Sequence, residues 1–418
     1  MEGRYELLKM NGAKERIFYG YIIEASAFCI MTLAWGANRS FGVFLEPLVS
    51  EFGWSRTSIS GAFTLGMIIL GLSSLAAGRL TDRIGPKKVL ITCALFLGSG
   101  YLLMSQMSSI WELYLYCGVL TGIGMSGALS PLLSLIARWF VKRRSLMTGI
   151  LTAGSALGIA IIPFFLSFLI ASLGWRTSYI VLSGLVLLVM IPAAMFLKRD
   201  PEEMELRPFG EEHNAGDLSR QHEGFLLRRA LCTSQFWMLG FIAFCTLFAI
   251  NVYVVHIVIH AIGLGISSTA AAAVLSLAAG ISVPGRIVSG AIADRIGNRR
   301  TIILCFLMGV IAYTLILSGE TLIILNLAAI IFGIAGWAAC TLIAPLTASL
   351  FGLRSHGTIL AYVMMGATAG GAVGPILVGY VFDVTGSYRL GFIITISVIT
   401  LAIVTSLFLK PIAEIKNL

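Results

Sequence analysis

Charge is scarce in this chain. Only 12% of its 418 residues are Asp, Glu, Lys or Arg, against roughly 25% in a soluble domain. A soluble fold of this size cannot hide a sequence that is 58% hydrophobic, so the composition excludes a soluble globule and points to a polytopic membrane protein. Paired cysteines are missing too. The seven cysteines, at 29, 93, 117, 232, 245, 305 and 340, are scattered, with no CxxC and no Cys/His ligand spacing; this leaves neither a disulfide framework nor a metal site. No nucleophile–base constellation and no phosphate-cradling strand–loop–helix occurs, so neither an enzyme nor a cofactor is expected. The net charge of +9 would suit nucleic acid, but the bases sit in short turns on alternate sides of apolar runs, and nucleic acid is not an expected partner. The first apolar run is far longer than a signal core, so a cleavable signal peptide is not expected.

What the chain does have is apolar runs, twelve of them. They cover about 17–49, 58–77, 89–108, 110–139, 145–173 and 178–197, and then 235–260, 267–292, 301–319, 321–350, 356–382 and 389–409. Each is long enough to cross a bilayer at about 1.5 Å rise per residue. The expected fold is all-α, with twelve transmembrane helices as two six-helix bundles, 1–197 and 230–418. Between them 198–229 is the only long polar segment, with six bases and eight acids, and reads as a cytoplasmic linker. Of the 29 Lys and Arg, Arg56, Arg176 and Arg389 fall on one side and Arg39 and Arg286 within helices. The rest lie on the other side, which places both termini in the cytoplasm. The lipid bilayer is thus the expected environment, in the cell (plasma or inner) membrane.

The stretch Gly78-Arg-Leu-Thr-Asp82-Arg83-Ile-Gly85-Pro-Lys87-Lys88 returns 212 residues later as Gly290-Ala-Ile-Ala-Asp294-Arg295-Ile-Gly297-Asn-Arg299-Arg300. The same offset relates Gly154 to Gly366, Gly158 to Gly370, Pro163 to Pro375 and Gly174 to Gly386, so about half the chain is duplicated. Both copies read as tight loops that end a helix. They are candidate gates, because Asp82 and Asp294 stand where a carboxylate can meet a base or a helix N-terminus; the plainer reading is that they only set turns. The motif resembles the signature between helices 2 and 3, and again 8 and 9, of the major facilitator superfamily. That resemblance implies alternating access around a site between the halves.

A charge inside a membrane helix costs about 2.5–3.5 kcal/mol on insertion scales, so it normally faces a cavity. Arg286 lies in Ser282-Val-Pro284-Gly285-Arg286, roughly 9 Å inside the expected end of its helix. Snorkelling to the surface is the alternative. Arg39, in Asn38-Arg39-Ser40 between Gly36 and Gly42, suits either a water-lined vestibule or a headgroup anchor. Glu24, on the inner half of the first helix, suits reversible protonation as a carboxylate that burial would desolvate, or is an interfacial or paired acid. His256 and His260 stand one turn apart on the seventh helix, and His256 is the better lining and proton-carrying candidate. Tyr362 is a further lining candidate, read against packing.

The arginine beside Pro284 and Gly285, and a first-helix base followed by Ser-x-x-Val-Phe, resemble the monocarboxylate transporter family. Arg138-Trp139-Phe140 and Phe236-Trp237 resemble its bacterial oxalate/formate-type relatives. The resemblance implies that Arg286 binds a substrate carboxylate and that Arg39 is an accessory cation. A guanidinium fork suits a carboxylate. The chain departs from the pattern at Ser282, where many such carriers hold an acid, and in 362–369, where oxalate-type exchangers place a second cation. The expectation is a secondary active carrier, working as a monomer, for a small monocarboxylate such as lactate or pyruvate with a coupled proton, from a prokaryotic source. A dicarboxylate or organic-anion exchanger and a multidrug exporter are the alternatives.

Overall fold

The computed structural model describes residues 18–210, 224–319 and 321–410. The helices are α1 (Tyr19–Phe52), α2 (Arg56–Ile84), α3 (Pro86–Met104), α4 (Ile110–Trp139), α5 (144–173), α6 (175–195), α7 (Ser234–Gly263), α8 (Ser268–Ile296), α9 (Asn298–Ser318), α10 (Leu322–Phe351), α11 (His356–Thr385) and α12 (Arg389–Phe408). Eleven helical runs among the described residues are long and apolar enough to cross a membrane. The longest, Arg144–Met195, holds one non-helical residue, Gly174, at φ 79° and ψ 163°. That position requires glycine and splits the run into two crossings, giving twelve.

The duplication visible in the sequence organises the packing. A Cβ at Gly158 of α5 would collide with the Thr32 carbonyl of α1, and one at Gly370 of α11 with the Phe244 carbonyl of α7; Thr32 and Phe244 stand at the same 212-residue offset. Backbone contact this close is how membrane helices gain packing energy where lipid offers no hydrophobic contrast. The start of α2 and that of α8 are capped alike. Ser55 Oγ accepts from the Ser58 N–H at 3.1 Å, and Ser267 Oγ from the Ala270 N–H at 3.4 Å.

Three expectations need correction. The first run is not one straight helix: Ser40 interrupts it, its Oγ donating to the Gly36 carbonyl at 2.7 Å, as a short hydroxyl side chain competes with the helical ladder. The repeated motifs are not loops. α2 continues to Ile84 and α8 to Ile296, and only Gly85 (φ 86°) and Gly297 (φ 93°) turn the chain. Gly78 and Gly290 serve close contact rather than breakage: Cβ atoms there would strike the Gly357 and Ser145 carbonyls.

The described ends of the polar segment are tied to both repeats. The Phe209 N–H donates to the Trp139 carbonyl at 2.9 Å, and the Val141 and Lys142 N–H groups donate back to the Phe209 carbonyl. The Phe225 N–H donates to the Phe351 carbonyl at 2.9 Å. Trp139 and Phe351, the last residues of α4 and α10, are again 212 apart, so the segment is clipped to equivalent points of the two repeats. Its middle, 211–223, lies outside the described residues.

Candidate functional site

Because α2 runs on through the first motif, Asp82 projects from a helix rather than a loop, and it projects at the start of α11. Its carboxylate accepts from the Gly357 N–H (3.3 Å), the Thr358 N–H (2.8 Å) and Thr358 Oγ1 (2.8 Å). Asp294 does the same at the start of α5, accepting from the Ser145 and Leu146 N–H groups at 2.9 Å each. Each acid meets free N–H donors at a positive helix end. Arg83 and Arg295 are exposed beside them.

The first of these contacts carries more charge than the second. Arg138 donates to Asp200 at 3.0 Å, lies 3.5 Å from Asp82, and donates to the Leu353 carbonyl at 2.8 Å. One turn before Asp82, Arg79 donates to the Tyr362 hydroxyl at 2.6 Å. Tyr362 therefore sits at the α2–α11 seam.

Every hydrogen bond between the first six helices and the last six, among the described residues, lies between mid-bundle and the face carrying the basic turns. In the opposite half no hydrogen bond joins the repeats among the described residues, and a Cβ at Gly280, on the far side of the middle of α8, would meet nothing within 4 Å. The basic face is closed and the far face open. On that side Arg56, Ser60, Thr64 and Ile68 of α2 line a shallow, open surface. Arg39 is exposed, and its guanidinium lies 6.0 Å from the Trp35 ring centroid.

Arg286 is buried where the closed and open halves meet. With α8 continuing to Ile296, it lies about 15 Å from the basic end of its helix, deeper than the sequence indicated, which weakens the snorkelling alternative. Its Nη1 donates to the Thr152 carbonyl and, at 2.8 Å, to Ser155 Oγ on α5. Its Nε is buried without a partner. Ser282, one turn away, is buried and donates to the Ala279 carbonyl at 2.7 Å. Thr152 Oγ1 lies 2.9 Å from Thr341 Oγ1 of α10. Nothing in the sequence singled out Ser155 or Thr152; their proximity to Arg286 arises only when the two repeats meet.

Among the described residues no hydrogen bond joins the other candidates to Arg286. Glu24 is 5% exposed, with the Leu151 backbone alongside and no hydrogen-bond partner at either carboxylate oxygen. Asn38 is buried in the first repeat, where it and Tyr179 line a cavity with room for about one water; its Oδ1 and the Tyr179 hydroxyl have no partner. His256 packs inside the second repeat. Its Nε2 lies 3.0 Å from the Pro375 carbonyl, which can only accept, so that nitrogen carries a proton. Nearby, Asn251 donates to the Gly371 carbonyl at 2.9 Å, the group that Pro375 leaves without its helical donor.

The arrangement matches known proteins throughout its length. The Major Facilitator Superfamily profile matches residues 27–361 and 290–418. Monocarboxylate transporter 13 of Rattus norvegicus is 28% identical over 90% of this chain and 85% of its own length. Agnestins efflux protein AgnL12 of Paecilomyces divaricatus is 27% identical over 84% of this chain and 78% of its own. These sources lend no support to a prokaryotic origin. The solved structure of FucP, a transporter in the outward conformation, superposes with a TM-score of 0.71 at 17% identity, covering 94% of this chain and 100% of that one. A profile spanning both repeats, on twelve helices that share this architecture, makes the chain a member of the major facilitator superfamily: a multi-pass membrane transporter, and not an enzyme.

Proposed function

We propose that this chain is a secondary carrier moving a small monocarboxylate of the lactate or pyruvate class by alternating access, with Arg286 as the carboxylate's anchor. One observation carries the reading: a guanidinium buried at mid-bundle beside the open half, with its Nε unpartnered. An unpartnered buried donor is costly, and a carboxylate is the group that satisfies a guanidinium edge with two charge-assisted bonds. The name of the rat relative supports the substrate class. With the basic face cytoplasmic, as the distribution of Lys and Arg indicates, the open cleft faces outward. Arg39 on its wall raises local anion concentration. The Asp82 and Asp294 contacts then latch the cytoplasmic gate. Glu24, a buried carboxyl group with no charged partner and only the Leu151 backbone alongside, is the proton carrier in this scheme.

Proteoliposome uptake of a labelled panel (lactate, pyruvate, oxalate and a lipophilic cation), with and without a pH gradient, tests it. Lactate or pyruvate accumulation driven by an inward proton gradient is expected. Arg286→Lys should lose about 2–5 kcal/mol of carboxylate affinity, because a point charge cannot reproduce the fork. Parent-like affinity in a folded Arg286→Lys protein would remove the anchor. Glu24→Gln should keep exchange and lose accumulation. Preferential transport of the lipophilic cation would favour an exporter instead, a reading that the efflux relative keeps open.

A further inference from the structure

The guanidinium of Arg286 belongs to one repeat and is held by the other. Its two contacts, the Thr152 carbonyl and Ser155 Oγ, are both on α5 and both use Nη1. A guanidinium offers a carboxylate two forks, Nη1/Nη2 and Nε/Nη2. With Nη1 occupied, only the Nε/Nη2 fork remains, and Nε is the nitrogen left buried without a partner. Thr152 is itself tied across the repeats through Thr341 Oγ1 at 2.9 Å. These contacts depend on α5 and α8 touching. A Cβ at Gly149 would fall 2.5 Å from the Arg286 carbonyl, and one at Gly290 would strike the Ser145 carbonyl. Opening the basic face must part these helices and remove both restraints.

We propose that Ser155 and Thr152 are positioning residues, which present the Nε/Nη2 fork of Arg286 to the carboxylate while the basic face is closed and release it when that face opens. The carrier then binds its anion more tightly from the far face than from the basic face. Restraint by α5 removes orientational freedom from a long side chain before the anion arrives, and its loss returns that entropic cost to binding. The proposal rests on Arg286 as the carboxylate anchor.

The test uses the full-length protein in vesicles of known sidedness, with lactate as the probe and KM measured from each face. Ser155→Ala should raise the far-face KM roughly tenfold, the loss of one hydrogen bond to a charged group, and leave the basic-face KM within about twofold. Ser155→Thr, which keeps the hydroxyl, should restore the parent asymmetry. Spin-label distances between the basic ends of α5 and α8 should match the parent in the same variants, because the lost contact orients a side chain rather than closing the gate. Equal change at both faces, no change at either, or a shift of the α5–α8 distance that accounts for the affinity change would each overturn the proposal. Failure of the anchor itself has a separate signature: Arg286→Lys would then keep the parent lactate KM from both faces.

Discussion

The two basic-face contacts are built from the same part and set in different surroundings. Asp82 and Asp294 occupy equivalent positions, and the N–H groups that donate to them, of Gly357/Thr358 and Ser145/Leu146, are also equivalent across the 212-residue offset. Around them the repeats diverge. The Asp82 side chain is only 9% exposed and lies beside Arg138, which also holds Asp200 and the Leu353 carbonyl. Asp294 is exposed and has the Arg144 guanidinium within reach of its charge, and the neighbouring hydrogen bond is a neutral one, Ser145 Oγ donating to Asn298 Oδ1 at 2.7 Å. A buried carboxylate keeps its interactions at high salt, whereas an exposed one is screened over about 8 Å at physiological ionic strength. The duplicated contact is thus buried and shared with Asp200 and Arg138 at one seam, and exposed at the other.

The largest effect expected follows from this difference. Asp82→Asn should shift the equilibrium toward an open basic face by about 2–3 kcal/mol, since it removes the charge behind three cross-repeat hydrogen bonds. Asp294→Asn should shift it by about 1 kcal/mol, with the shift shrinking as salt rises. Spin-label distances across both seams measure the populations; equal shifts from the two variants would erase the distinction between strong and weak seams.

The clips on the polar segment should matter less, and alike on both sides. Phe209→Pro removes the N–H that donates to Trp139, and Phe225→Pro the N–H that donates to Phe351. Each should loosen the basic face by about 0.5–1.5 kcal/mol. Faster exchange of the backbone amides at the starts of α5 and α11 would register the change, and parent-like exchange in both variants would show that the clips are passive.

Smallest of all should be Tyr362→Phe, which deletes the exposed acceptor of Arg79 and should cost the α2–α11 seam less than about 1 kcal/mol. Loss of lactate affinity in this variant, with the seam distance unchanged, would instead return Tyr362 to the substrate path.

Much of this was readable in the residues. The repeat register stood out because positive-φ and close-contact positions admit only glycine, and Gly85, Gly297, Gly158 and Gly370 stand 212 apart in pairs. Helix ends were less legible: Gly78 and Gly290 look like breakers, and nothing local distinguishes a glycine that ends a helix from one that admits a neighbour. Arg138 entered the sequence reading through the resemblance of Arg138-Trp139-Phe140, although it stands alone in an apolar stretch before Trp139 and is buried in the structure. Phe209 and Phe225 carried a usable signal, as aromatics in an otherwise polar segment.

The sequence by itself determined that this chain crosses a membrane twelve times as two related halves, because hydropathy, charge placement and glycine conformation are properties of short segments. Tertiary structure alone decided which helix end each acid meets, that Arg286 is held by α5, and that Asn38 and His256 are packed within separate repeats. Those facts depend on the approach of residues more than a hundred positions apart in sequence. The approach is set by backbone contacts at glycines, and a linear pattern can mark such a glycine without naming its partner.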